Sequence, residues 1–143
     1  VVTALNLHDD MSEVVRRIRP DRWKIFQALR IEGENDDDIV DLEVVEAAFN
    51  SYVERHRRAL ADLKDVTVVA ENNEAMLGTY AMIDPLGRVY TNAEGRYRYS
   101  GHSLLVMGFF EAWSQVSSGF SEGAFLARDG DWDWNRESVG GEV

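Results

Sequence analysis

Six side chains in this 143-residue sequence have types and placements suited to holding or transforming a ligand: Asn6, Lys24, Gln27, Asn35, Tyr80 and Arg128. The first five lie at or near the ends of stretches that read as strands, and Arg128 lies in the C-terminal tail. Amides, a phenol and cations gathered at one rim of an α/β barrel can contact a bound molecule. The same groups serve equally well as structural hydrogen-bond partners or solvated charges. Self-contained catalytic motifs are missing: there is no Gly-x-Gly-x-x-Gly, no phosphate-binding P-loop, no His-Glu-x-x-His and no Gly-x-Ser-x-Gly. His8, His56 and His102 are far apart and lack metal-ligand spacing. His56 reads as an ordinary surface or half-buried side chain, and no metal ligand is assigned. Asp36-Asp37-Asp38 lacks the glycine and glutamate of a calcium loop and reads as a solvated turn.

The elements that must position these residues centre on Arg22 to Asn35. Alternation puts Trp23, Ile25, Gln27, Leu29 and Ile31 on one face and Arg22, Lys24, Phe26, Ala28, Arg30 and Glu32 on the other. Pro20 and Gly33 bound a strand of about twelve residues. A helix with Trp23, Phe26 and Leu29 on one stripe is the competing reading. Upstream, Val1 to Leu7 reads as a short strand. Asp9, Asp10 and Ser12 offer helix caps ahead of Val14, Val15 and Ile18, and Pro20 closes that helix. Strand, helix and strand make a βαβ-like unit, the end of a parallel sheet or barrel.

Downstream, Val44 to Leu63 carries Val45, Phe49, Tyr52, Val53, Leu60 and Leu63 at helical spacing. Asp65 to Val69 reads as a strand, and Glu71 to Glu74 as a turn. Gly78 to Ile83 and Arg88 to Asn92, joined by Asp84-Pro85-Leu86-Gly87, predict a β-hairpin. Gly95 to Gly101 reads as irregular, Ser103 to Val116 as one amphipathic helix, and Gly119 as its stop. In the tail, Trp132 and Trp134 are expected to pack on the domain, and 136–143 to be polar and mobile.

Composition bounds the function. The chain is 45% apolar, enough for one core, and has no cysteine. Disulfides, thiolate nucleophiles and thiolate-held iron–sulfur clusters are therefore excluded within it. A net charge of −11 argues against a general nucleic-acid binder, though not against a local basic pocket for one nucleotide. No apolar run reaches the roughly 18 residues of a membrane span. An opening strand without methionine suggests a piece of a longer chain. The expected location is the cytoplasm, or a membrane reached through a preceding N-terminal region.

Arg22-Trp23-Lys24, Phe26-Gln27 and Ile31-Glu32-Gly33-Glu34-Asn35 resemble the distinctive stretch of the viperin-like radical S-adenosylmethionine nucleotide dehydratases. Further matches are Asn6 with Asp10-Met11, Glu54-Arg55-His56, Thr79-Tyr80 with Ile83-Asp84, and Phe125-Leu126 with Arg128 and Gly130. The resemblance implies an α/β fold: residues 1–35 as the last strand–helix units of a partial (βα)6 barrel, and 36–143 as an α+β C-terminal extension with a hairpin and a substrate-covering tail. It also implies conversion of CTP, or UTP, to the 3′-deoxy-3′,4′-didehydro nucleotide, an antiviral chain terminator. In that chemistry a [4Fe–4S] cluster cleaves S-adenosylmethionine, hydrogen leaves C4′ of the ribose, the 3′-hydroxyl is lost, and a final reduction follows.

Tyr80 would be the hydrogen donor, with Asn6, Lys24, Gln27, Asn35 and Arg128 binding substrate. The cluster, an upstream half bearing its cysteines and an electron donor would lie outside this chain. Ala4, where the family has a basic residue, and Asp129 and Asp131, where it has glycine and lysine, leave the preferred base open. Two other readings remain: a radical S-adenosylmethionine enzyme with a different small substrate, and a non-catalytic α+β interaction module.

Overall fold

A computed structural model describes residues 1–128, 130 and 131. The expected packing of Trp132 and Trp134 and the character of 136–143 lie outside the described residues. The chain is mixed α/β, with one small parallel sheet and one small antiparallel sheet, and no closed barrel is seen among the described residues.

The parallel sheet pairs β1 (Arg22–Phe26) with β2 (Thr67–Glu71), in register from Arg22 opposite Thr67 to Phe26 opposite Glu71. Val2 adds a parallel bridge at Gln27, on the other side of β1. The expected strand over Val1 to Leu7 thus shrinks to this single bridge, because the Asn6 carboxamide accepts from the Thr3 amide at 2.7 Å and curls the chain into turns. Helix α1 (Ser12–Ile18) crosses from the Val2 segment to β1, and α2 (Glu46–Ala59) crosses from β1 to β2. Two parallel connections through helices are the expected geometry of βαβ units.

Alternation along β1 is as read from the sequence, but the strand is five residues long rather than twelve. The strand ends just before Gln27, whose N still donates to Glu71 O at 3.0 Å and whose carboxamide goes to backbone at both ends: Nε2 donates to Val44 O at 2.6 Å, and Oε1 accepts from Asn73 N at 3.0 Å. One face of the sheet buries Ile25, with Trp23, Val68 and Ala70 beside it, against Phe49, Tyr52 and Val53 of α2, and Val2 and Val44 complete this core. Full burial of a side chain such as Phe49 contributes about 1.5–3 kcal/mol. The other face carries Lys24, Phe26, Val69 and Glu71.

His56 is fully buried, contrary to its reading as a surface or half-buried side chain. Its Nδ1 lies 2.8 Å from Tyr52 O and its Nε2 accepts from Met11 N at 3.0 Å, with the Trp23 ring edge-on at 5.3 Å. It clamps the segment entering α1 onto α2.

After β2 the expected turn is instead a short helix, α3 (Asn73–Met76), capped by the Asn72 carboxamide accepting from Ala75 N. The predicted hairpin forms as β3 (Met82–Ile83) and β4 (Val89–Thr91), and the stretch read as irregular adds β5 (Arg98–Tyr99) to the sheet. At the turn, Gly87 has φ +77° and donates to Asp84 O at 2.9 Å, while the Asp84 carboxylate accepts from the Leu86 and Arg88 amides.

The single helix expected over Ser103 to Val116 is broken at Gly108 into α4 (Leu104–Met107) and α5 (Phe109–Ser114). Val89, Ala112 and Val116 form a second core, while Leu105, Val106 and Phe110 face outward. The tail adds α6 (Glu122–Ala127), capped by Ser121, which the sequence reading did not anticipate. No helix among the described residues is long and apolar enough to cross a membrane.

Candidate functional site

The face of the parallel sheet turned away from α2 ends in Glu71, the last residue of β2, with no exposed surface at all. A carboxylate withdrawn from water requires ionic and hydrogen-bond partners, and three distant segments supply them. Lys24 on β1 reaches Oε1 with its Nζ at 2.6 Å. Arg128, one residue beyond α6, places Nη1 at 2.8 Å from Oε2. Tyr80, in the loop leading to β3, donates its hydroxyl to the same oxygen.

Chain geometry accounts for each arrival. Lys24 and Glu71 share a sheet face because Lys24 pairs with Val69 and Glu71 lies two residues further on. Gly78, at φ +68°, turns the chain after α3 so that Tyr80 comes back over β2. A Cβ there would stand 2.7 Å from the Gly119 carbonyl. The Gly78 carbonyl in turn accepts from Ser121 N at 2.8 Å, fixing the start of α6. Arg128 is then held by Thr79 O, which accepts from Nη2 at 2.9 Å, and by the rings of Tyr80 and Phe125, 4.2 and 5.1 Å from the guanidinium carbon.

Among the described residues, the cluster sets two cations against one carboxylate. Arg128 is buried, and its Nε has no hydrogen-bond partner among the described residues. Lys24 keeps 31% of its side chain exposed, so the cluster is reached from solvent on that side. Burial raises the Tyr80 phenol well above the ordinary tyrosine range, and its bond to Glu71 raises it further, with Arg128 opposing. At neutral pH it is a phenol whose proton is directed at a carboxylate.

Of the six residues singled out in the sequence, the structure therefore brings together Lys24, Tyr80 and Arg128. Gln27 is buried on backbone partners. The Asn6 carboxamide bonds Thr3 N and Val1 O, and the Asn35 carboxamide bonds Ile31 N and Leu29 O, each closing a local turn. Sequence reasoning missed Glu71. Its only signal was a carboxylate at the end of a β-branched run, in phase with Val69.

A mixed α/β chain with a partly open site holding two cations, a phenol and one carboxylate has groups that can contact an anion. Comparison with known proteins places the chain among relatives of one class. No protein-family model matches the chain. It is 39% identical over 134 residues to an S-adenosylmethionine-dependent nucleotide dehydratase of Flammeovirga pacifica, covering 94% of this chain and 43% of that protein. To one of Lacinutrix mariniflava it is 33% identical over 136 residues, 94% of this chain and 26% of the other. To one of Danio rerio it is 33% identical over 144 residues, 97% and 38%. The chain is a homologue of the S-adenosylmethionine-dependent nucleotide dehydratases, and it spans less than half the length of each of these relatives.

Proposed function

We propose that this chain is the substrate-covering part of a viperin-like nucleotide dehydratase, with Lys24 and Arg128 gripping a nucleoside triphosphate and Tyr80 placed beside the sugar as hydrogen donor. The observation that carries this reading is the convergence of Lys24, Tyr80 and Arg128, from three separate segments, on Glu71. The relatives' names supply the nucleotide. Residues 1–35 would close the end of a partial barrel, and 36–143 would form the extension that covers its mouth. The parallel sheet, with β1 in the first part and β2 in the second, would join the two. Asn6, Gln27 and Asn35 enter this reading as residues that hold the walls in place. CTP and UTP are the candidate substrates.

Guanidinium and ammonium groups in a partly desolvated site make strong charge-assisted bonds to phosphate oxygens. A covering tail would keep water from a reactive substrate. S-adenosylmethionine would supply the oxidising equivalent. A [4Fe–4S] cluster cannot be ligated by thiolates here, since the 143 residues contain no cysteine. That group and the electron donor would belong to protein outside them.

Calorimetric titration of the chain with CTP, UTP, their monophosphates and cytidine tests the reading. Triphosphates should bind at least about tenfold more tightly than monophosphates, and Lys24→Ala and Arg128→Ala should each remove about 1.5–3 kcal/mol, the scale of a charged hydrogen bond. Equal affinity for triphosphate and nucleoside, or full affinity in both variants, overturns it.

A further inference from the structure

The substrate reading gives Lys24, Arg128 and Tyr80 work to do and leaves Glu71 as a mere counter-ion. Its geometry is more specific than that. Oε1 accepts from Lys24, while Oε2 accepts from the Tyr80 hydroxyl and is ion-paired with Arg128 Nη1 at 2.8 Å. The Tyr80 hydroxyl hydrogen therefore lies on the line to Glu71 and is not free to point at a bound molecule. A hydrogen donor whose hydrogen is already committed to a carboxylate must part with its electron and its proton in different directions.

A phenol that loses an electron becomes a strong acid and needs a base within hydrogen-bond reach. Among the described residues the Tyr80 oxygen has two hydrogen-bond partners, Glu71 and Arg128. Arg128 has only donors to offer. Glu71 is the remaining candidate.

We propose that Glu71 is the proton acceptor that makes Tyr80 a one-electron donor. This rests on the reading of Tyr80 as the redox group of the site. The electron passes from the phenol to the substrate radical cation left when the 3′-hydroxyl departs as hydroxide, which becomes a neutral closed-shell product. At the same time the Tyr80 O–H bond breaks and an O–H bond forms at Glu71 Oε2. The residue left behind is a neutral phenoxyl radical beside a neutral carboxylic acid. A one-electron reductant from solution restores the phenol as the proton returns from Glu71. The proton stays on Glu71 only while the phenol is oxidised, and the transfer is reversible. Loss of the Glu71 charge also frees both cations from their shared counter-ion, so they turn wholly to an anionic ligand at the moment the substrate is most reactive. Glu71 is thus a positioning and proton-accepting residue that acts through Tyr80.

The test uses the full chain without nucleotide, a photogenerated ruthenium(III) polypyridyl oxidant and time-resolved absorption of the phenoxyl radical. The difference between the native chain and Tyr80→Phe isolates the Tyr80 signal. With an internal base, the Tyr80 rate should not respond to the concentration of buffer base and should slow in D2O. In Glu71→Gln, the rate should fall roughly a hundredfold and become proportional to buffer base; Glu71→Asp should restore part of it. A native rate that climbs with buffer base, or no Tyr80 signal at all, overturns the proposal. The native measurement decides even if Glu71→Gln does not fold. The nucleotide titration uses no oxidant, so failure here leaves the triphosphate reading standing, and failure there leaves this one testable.

Discussion

Tyr80 sits between a carboxylate that accepts its proton and a guanidinium that favours its anion. Burial and Glu71 prevail, so the folded protein keeps the phenol neutral beyond the pH at which a free tyrosine, near 10, would ionise. The linkage sign follows from proton counts: above pH 10 the unfolded chain releases the Tyr80 proton while the folded chain retains it. Stability contributed by Tyr80 is therefore fully present below pH 10 and is lost as pH rises from 10 toward the raised folded value. Tyr52, Tyr97 and Tyr99 are also raised, chiefly by burial, and add to the same slope. The Tyr80 share is isolated by urea denaturation at pH 9 and pH 11 of the native chain and of Tyr80→Phe. Native stability should fall more steeply over that interval than the variant's. Parallel slopes would mean that Tyr80 has an ordinary affinity for its proton and that the Glu71 bond does not hold in solution.

At the level of elements, the β1 alternation, α2, and the hairpin with its Asp-Pro-Leu-Gly turn were all legible, because each depends on short-range periodicity or turn chemistry. What the sequence hid depends on partners far along the chain. His56 looks like a surface residue amid Arg55, Arg57 and Arg58, and its burial depends on distant partners, the Met11 amide 45 residues away and the Trp23 ring. Glu71 precedes Asn72-Asn73-Glu74 and imitates a solvated turn, since Lys24 and Arg128 lie 47 and 57 positions off. β1 ends at Phe26 with no breaker beside it, and the burial of the Gln27 carboxamide just beyond depends on backbone of two other segments. Gly108 differs in kind, since the helical periodicity runs straight through it. The structure breaks there at φ +81° and ψ 158°, a region open essentially to glycine alone. An added Cβ would meet nothing within 4 Å, so a substitution tests the backbone alone. Gly108→Ala should cost about 1–3 kcal/mol in urea denaturation. Unchanged or increased stability would show that α4 and α5 readily merge into one helix.

Across the whole molecule, two cores back two sheets. One lies between α2 and the parallel pair; the other lies beneath β4 and α5. The joints between them are polar. Glu32 N donates to Gly95 O, Asn92 bonds Met76 O and Gly78 N, and the Glu71–Arg128 pair ties α6 to the end of β2. α6 contributes no fully buried residue of its own, so its attachment rests on Arg128, the Gly78–Ser121 bond and the ring contacts of Phe125 with Phe120 and Arg128. An element held mainly by such contacts opens more readily than the cores it joins. Arg128→Ala removes the ion pair, the Thr79 bond and the ring contacts together, and removing one partner of a buried pair costs about 3–5 kcal/mol. Hydrogen exchange in that variant should speed up at the amide of Phe125 in α6 and at that of residue 128 just beyond it. In α2, which shares none of these contacts, protection should fall only by the common drop in global stability. Exchange that accelerated equally in α6 and α2 would make the tail part of a single cooperative unit. It would then be unable to open for a ligand without unfolding the domain, against the substrate-covering role proposed for it.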